Sequence, residues 1–408
     1  MSKDFDVIVW GATGFTGKLV VEYLAKTYGV RGDLKWAIAG RDQRKLEQVR
    51  KDCVAESERQ HLAVFTADSH DARSLSGLTS RAKVICTTVG PYATHGTTLV
   101  EACVATGTHY CDLAGEVQWM ARVIPRLQAQ AEETGAKIVH TCGFDSIPSD
   151  MGTWYVQRAM LEQHGVAGNK VSARVGKSKG AASGGTIASM FEMLEESKRD
   201  SNVKRALSDP YSLYPEGVAK GQDKRDQTSA IYDDNFQQWT CPFIMSAINA
   251  RVVRRSNAIS GFPWGEDFRY DESQLCSNRG KALAATVAMG MGMVTVAFGP
   301  GRKLAQRLLP APGEGPNRAA REAGFYELFF HASHPEDSSK DLRAKVTGDM
   351  DPGYGSTSKM LAESAICLAM DDLDTGGGFW TPSTALGESL LDRLTGKAGL
   401  TFELIPIT

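Results

Sequence analysis

The residues best able to do chemistry in this chain fall in short clusters, each placed where an apolar run gives way to a turn. The earliest is Trp10-Gly-Ala-Thr-Gly-Phe-Thr-Gly17, in which Gly11, Gly14 and Gly17 recur at GxxGxxG spacing with Thr13, Phe15 and Thr16 between them. Glycine at such a turn adopts backbone angles closed to other residues, and it lets the first amides of a helix approach a pyrophosphate whose charge the helix dipole favours. An apolar run before it and a helical pattern after it supply the setting that gives the motif meaning. The next cluster, Ala39-Gly40-Arg41, ends the second apolar run, where an NAD enzyme usually offers an acid to the ribose hydroxyls. Arg41, with Lys45 one helical turn beyond, suits a ribose 2′-phosphate instead, so the expected cofactor is NADP(H). Asp42 competes, because an acid there is able to reach a ribose hydroxyl, and a solvated helix start is the plain alternative for Arg41 and Lys45. Asp68, just past the third run, reads either as a partner for the adenine amino group or as a helix cap.

Three further clusters follow the later runs. They are Val89-Gly90-Pro91-Tyr92 with His95, Asp112-Leu-Ala-Gly-Glu116, and Gly143-Phe-Asp145-Ser-Ile-Pro148. All three fall at the carboxyl ends of expected parallel strands, the edge on which open α/β sheets bind ligands. Val89, Gly90 and Pro91 would shape a loop past the nicotinamide ribose. Tyr92, His95, Asp112, Glu116 and Asp145 are the donor and ionisable groups placed to meet a substrate, with Tyr92 taken as the proton donor. Each has a structural alternative: caps for Asp112, Glu116 and His95, and an Asx-type turn for Asp145. Farther on, the turn Lys179 to Thr186 would expose amides able to take an anion or thioester oxygen.

The elements that must position these groups alternate. Strands are expected over Phe5–Trp10, Lys35–Ala39, Leu62–Thr66, Ala82–Thr88, His109–Asp112 and Lys137–Thr141. Helices are expected near Gly14–Tyr28, Gln43–Val54, Arg73–Leu78, Thr97–Thr106 and Val117–Thr134. This alternation predicts a Rossmann-type doubly wound parallel sheet over residues 1–150. A second, α+β substrate or dimerisation domain is expected over 151–350, with strands near Val171–Val175, Arg251–Ser256, Phe325–Ala332 and Leu342–Thr347. The alternation at Phe325 predicts an antiparallel strand with one buried face. A helix over Thr357–Met370 and the tail, 351–408, are expected to pack back on the first domain, and Pro310–Pro316 reads as a loop.

Composition narrows the function classes. The 408 residues, 42% hydrophobic and 23% charged, suffice for a large core; 46 basic and 48 acidic side chains provide no overall field toward nucleic acid. Eight cysteines without any CxxC pair suggest neither a zinc site nor a disulfide framework, and no metal is expected. The opening Met-Ser-Lys-Asp, lacking the basic start and apolar core of a secretion signal, predicts a cytoplasmic protein. The charge-free run Ala282–Phe298 is flanked by Arg279, Lys281, Arg302, Lys303 and Arg307. It reads as a buried helix or homodimer interface, with peripheral docking at an anionic lipid surface as the functional rival.

Taken together, GATGFTG at 11–17, AGR at 39–41, VGPY at 89–92, YCDLAGE at 110–116, GFDSIPSD at 143–150, SGGT at 183–186, GPGR at 299–302, PGYGSTSKML at 352–361 and GGFWTPSTALG at 377–387 resemble the saccharopine dehydrogenase family. Within it the closer resemblance is to the trans-acting enoyl reductase subgroup. The resemblance spans nearly the whole chain. It implies a nicotinamide-dependent oxidoreductase acting on a small lipid-like or acyl substrate, since subgroup members are tied to enoyl reduction in lipid assembly. It does not imply saccharopine as the substrate. The expected activity is therefore NADPH-dependent enoyl reduction. A dehydrogenase acting at a C–N or C–OH centre and a non-catalytic nucleotide-binding scaffold at lipid surfaces are the alternatives.

Overall fold

The computed structural model describes residues 3–180, 184–297 and 314–407, which form two compact units. The first comprises residues up to Phe144, a short piece at Gly313–Gly315 and the stretch Gly353–Ala398; the second comprises Asp145–Pro312, Pro316–Pro352 and Gly399–Thr408.

In the first unit the strands are β1 (Phe5–Trp10), β2 (Trp36–Gly40), β3 (Ala63–Thr66), β4 (Ala82–Thr87), β5 (His109–Cys111) and β6 (Lys137–Val139). The helices between them are α1 (Phe15–Thr27), α2 (Gln43–Cys53), α3 (Ala72–Thr79), α4 (Tyr92–His95), α5 (Thr97–Ala105) and α6 (Val117–Thr134). A seventh strand, Gly378–Trp380, pairs with β6, and the order across the sheet is that strand, then β6, β5, β4, β1, β2 and β3. Every pairing is parallel. Val7, Ile8 and Val9, Ile38, and Val84 with Ile85 are wholly buried, as a sheet covered on both faces requires. The seventh strand escaped the sequence reading because Gly-Phe-Trp is too short to show a period.

The helix Thr357–Met370 lies against α1 and the strands β1, β4 and β5. Its Glu363, fully buried, accepts hydrogen bonds from Tyr23 Oη at 2.6 Å and Tyr28 Oη at 2.8 Å, and pairs with Arg393 at 3.3 Å. Two aromatic hydroxyls and a guanidinium around one carboxylate offset the cost of burying it, so a helix far along the chain is registered against α1.

The second unit is built on a mixed seven-stranded sheet in the order Leu400–Ile405, Leu342–Gly348, Phe325–Ser333, Lys170–Lys179, Arg269–Cys276, Gln238–Pro242 and Ile231–Asp233. Only Lys170–Lys179 and Arg269–Cys276 run parallel; the strand at Phe325 is antiparallel to both neighbours and buries Tyr326, Leu328 and Phe330. Gly152 of the helix Ile147–His164 sits on the Phe330 ring, where a Cβ would stand 2.5 Å from Cε2. That helix packs on the strands at Phe325 and Leu342.

One expectation fails here. Arg251–Ser256 is not a strand but the middle of the helix Ser246–Ile259. Its Val-Val-Arg-Arg-Ser stretch suggested β structure, yet the helix is buried on nearly all sides, arginines included. Arg251 donates to the Leu207 carbonyl at 2.8 Å, Arg254 to Asp223 at 2.8 Å and Arg255 to the Leu213 carbonyl at 2.7 Å. These bonds tie the polar segment 207–223 down, giving otherwise orphaned carbonyls a charged donor. Most of the loop expected over Pro310–Pro316 falls outside the described residues, as do residues 181–183 of the turn expected at Lys179–Thr186.

Candidate functional site

The β1–α1 turn is locked from within. Gly11 takes φ +87°, and its amide donates to the Ala39 carbonyl at 3.0 Å, which ties the turn to β2. A Cβ on Gly11 would stand 2.5 Å from Val89 Cγ2 and 2.9 Å from Thr88 Oγ1, and one on Gly17 would collide with the Gly11 carbonyl. Those two glycines are therefore required by packing. Gly14 is different. Among the described residues a Cβ there would meet only the Gly11 oxygen, at 3.4 Å. Gly14 is the N-cap of α1 and supplies no side-chain cap, so the protein itself does not explain why the position lacks a side chain. A pyrophosphate lying on the helix start does explain it, since the backbone must approach the ligand there. Thr13 and Thr16 flank this opening, and the Phe15 ring is held edge-on against Tyr354 at 4.7 Å.

At the end of β2, Asp42 is the N-cap of α2 and its carboxylate accepts the Lys45 amide at 3.1 Å. The acid that competed for the ribose is thus occupied in the helix. Arg41 and Lys45 are exposed, and among the described residues neither side chain has a protein partner. A free guanidinium fork beside the glycine turn is the group a 2′-phosphate needs. Asp68 is exposed and accepts the His70 amide at 2.9 Å; the cap of α3 is Asp71.

The exit of β4 carries Val89, Gly90 and Pro91, with a cis bond between the last two, and the Val89 amide donates to Thr87 Oγ1 at 3.2 Å. Tyr92 then begins α4, and its side chain turns inward. Its hydroxyl accepts the Leu113 amide at 3.1 Å, and the ring stacks on Trp119 at 5.5 Å. Burial, and after it the nearby Asp112, push its ionisation well above the ordinary value. His95, in the same short helix, lies 3.3 Å from His70, ring nitrogen to ring nitrogen.

Asp112 and Glu116 have architectural tasks. Asp112, wholly buried, takes the Ala114 and Thr141 amides on one oxygen at 2.9 and 3.1 Å, and Tyr110 Oη and His140 Nδ1 on the other at 2.9 and 2.7 Å. That fills the four lone-pair positions of a carboxylate. Glu116 accepts the amides of Tyr92 and Ala93, each at 2.8 Å, and so fixes the start of α4. His140 carries no sequence signal because it directly follows the apolar run of β6 with no motif around it. Its imidazole is buried and bonded to Asp112, while its Nε2 has no partner among the described residues. Thr141, next to it, holds φ +63°, bending the chain so that its amide meets Asp112.

Asp145 belongs to the second unit, just before the helix Ile147–His164. Burial alone pushes its carboxyl up to about 7, and among the described residues its side chain has no hydrogen-bond partner. No group of three or more His, Cys, Asp or Glu able to hold a metal exists among the described residues.

The glycine cradle, the uncapped start of α1 and the free Arg41 fork fit a phosphorylated dinucleotide. Comparisons with known proteins agree. Residues 7–139 match the family model described as the saccharopine dehydrogenase NADP-binding domain, so the cofactor is NADP(H). The chain is 38% identical to a protein of Mycobacterium tuberculosis provisionally named a trans-acting enoyl reductase, with 96% of each chain covered. It is 34% identical to a trans-acting enoyl reductase of Mycobacterium bovis, with 97% of this chain and 96% of the relative covered. Among solved structures, apo saccharopine dehydrogenase (L-Glu forming) of Saccharomyces cerevisiae superposes with TM-score 0.54 at 12% identity, over 98% of this chain and 99% of that one, a likeness of fold. The chain therefore belongs to the saccharopine dehydrogenase family, in its trans-acting enoyl reductase group, and is an NADP-binding oxidoreductase.

Proposed function

We propose that the protein reduces the carbon–carbon double bond of an enoyl group on a lipid-like acyl substrate. Bound NADPH supplies the hydride for the β-carbon, and a protein acid supplies the proton for the α-carbon. The observation that carries this reading is the full-length likeness to relatives named trans-acting enoyl reductases, joined to the cradle and free Arg41 of the first unit. Of the five candidate groups, Asp145 is the one whose carboxyl burial pushes up to about 7 without a hydrogen-bond partner among the described residues, and it is the acid to test by substitution.

The helix Arg279–Ala297 supports a lipid-like substrate. Leu283, Val287, Met291, Met293 and Val294 are all exposed, 40–66% of each, while among the helix's described side chains Ala282 alone is buried. Between Glu272 and Glu314 the sequence has no acid, and its charges are Arg279, Lys281, Arg302, Lys303 and Arg307. An apolar helix with basic neighbours suits an anionic lipid surface, and no described helix is long and apolar enough to cross a membrane. Flotation with phosphatidylglycerol vesicles tests this contact. Val287→Asp with Met291→Asp should abolish flotation, and a dimer lost in the same variant with no vesicle binding would reassign the face to a second copy.

The reaction is tested with a long-chain trans-2-enoyl thioester and NADPH. Loss of reduced nicotinamide should match a product heavier by two hydrogens. Turnover with imines or alcohols instead would favour the C–N or C–OH dehydrogenase, and NADPH binding without turnover on any of them would favour a scaffold.

A further inference from the structure

Cys241 and Cys276 are 35 residues apart in sequence, but the second unit brings their sulfur atoms to 3.4 Å, with the Cys276 thiol donating to Cys241. They lie on neighbouring antiparallel strands. Gln274 stands opposite Cys241, and Cys276 stands opposite Trp239, so the two cysteines are diagonal neighbours on one face of the sheet. Both are free thiols. We propose that this pair is a redox-modification site, oxidised by a hydroperoxide to an intramolecular disulfide and restored by thiol reductants.

The two positions differ in the way such a reaction needs. Cys276 is half-buried and ends its strand, whereas Cys241 is 2% exposed, and burial followed by the bond to Cys276 pushes its thiol up to about 12. Cys276 is therefore the sulfur a small oxidant meets first, and Cys241 is the resolving thiol. In the first step the Cys276 sulfur attacks the peroxide; a sulfur–oxygen bond forms, the oxygen–oxygen bond breaks, and one water leaves with the thiol proton. In the second, Cys241 sulfur displaces the sulfenic hydroxyl; the sulfur–sulfur bond forms, and the hydroxide leaves as a second water with the Cys241 proton. Two electrons pass from the two thiols to the peroxide.

Reversibility follows from the pairing. Diagonal positions of an antiparallel pair are ordinarily about 7–8 Å apart at Cα, wider than an unstrained disulfide prefers. Closing the bond must pull the end of the strand inward, and a strained, accessible disulfide is easily reduced. The strand has room to yield at that end, because Cys276 is its last residue and Ser277 and Asn278 only lead into the helix Arg279–Ala297. The first unit holds a natural control. Cys86 and Cys111 face each other in register on β4 and β5, but both are wholly buried. Adjacency without access should leave that pair unreacted.

The test uses the full-length protein treated with a modest excess of hydrogen peroxide, alkylated, digested without reductant and mapped by mass spectrometry. The expected result is a linked Cys241–Cys276 peptide, loss of two of the eight titratable thiols, and return of both on reduction. Cys241→Ser should stop at a dimedone-trappable sulfenic acid on Cys276, and Cys276→Ser should form no link. If either variant fails to fold, the wild-type map still decides. A Cys86–Cys111 link, irreversible sulfinic acid at Cys276 without a link, or eight thiols surviving peroxide would each overturn the proposal.

Discussion

Asp112 in the first unit and Glu272 in the second are both buried carboxyls, yet the donors around them differ in kind. Asp112 sits at the end of β5, where the Ala114 and Thr141 amides are aimed at one of its oxygens, with Tyr110 and His140 on the other. Those four donors fill both oxygens. Glu272 lies between the sheet and two helices of its unit, where its partners are the Ser149 hydroxyl at 3.0 Å, the Asn249 amide at 3.2 Å and the Tyr270 hydroxyl at 3.4 Å. Among the described residues no backbone amide is aimed at it, and burial pushes it up to about 7. The ends of parallel strands present free amides to an anion. A core of helix on sheet has already spent its amides on secondary structure, and offers weaker side-chain donors.

The largest effect is expected at Asp112. Asp112→Asn puts an amide NH2 against groups that are themselves donors, and the first unit should lose about 3 kcal/mol or more, read by denaturant unfolding. An unchanged midpoint would mean that the carboxylate does not hold the ends of β5 and β6 together. Glu272 should behave inversely. Unfolded, it ionises near its ordinary 4.5; folded, it keeps its proton to about 7, so the folded state binds more protons between these values. Its stability contribution is full below the lower value, falls as pH rises through the window, and is gone above it, a change of about 3 kcal/mol. Glu272→Gln should flatten that part of the stability curve and stabilise the unit at pH 8; parallel curves for the two proteins would remove the contrast.

Asp145 is likewise raised, by burial alone, to about 7. Wild-type turnover should fall as pH rises through about 7, where the acid loses its proton. Asp145→Asn should lower kcat by about 10²-fold and abolish that limb of the profile; a variant of normal rate would transfer the proton donor elsewhere. The smallest effect concerns the exposed cation. Arg41→Ala should cut the preference for NADPH over NADH by about tenfold, roughly 1.4 kcal/mol, without changing stability. Titration of both reduced nucleotides measures it, and an unmoved ratio would show that Lys45 or the backbone selects the phosphate.

The nucleotide half of the site was legible because its signals are local. The three glycines, the strand before them and the arginine after β2 each act through neighbours a few residues away. The boundaries of β1 and α6 and of the helix Thr357–Met370 coincide with the sequence reading for the same reason. Asp112 and Glu116 stand out in the sequence, but their spacing could not reveal that two backbone amides would bond to each of them. His140, Glu363 and the helix Ser246–Ile259 were illegible because their roles come from partners distant in sequence. A buried arginine looks like a surface arginine until the carbonyl it serves is known.

By itself, the order of residues determined the Rossmann-type half, its glycine turn and the phosphorylated cofactor, since periodicity and turn chemistry are written in runs of neighbouring side chains. Tertiary structure decided the rest. It brought Gly378–Trp380 to the sheet edge and Glu363 to two tyrosines, turned Tyr92 inward, and set Cys241 beside Cys276. Burial and the direction of a hydrogen bond exist only once distant segments meet, and those two quantities assign each polar residue to scaffold or to chemistry.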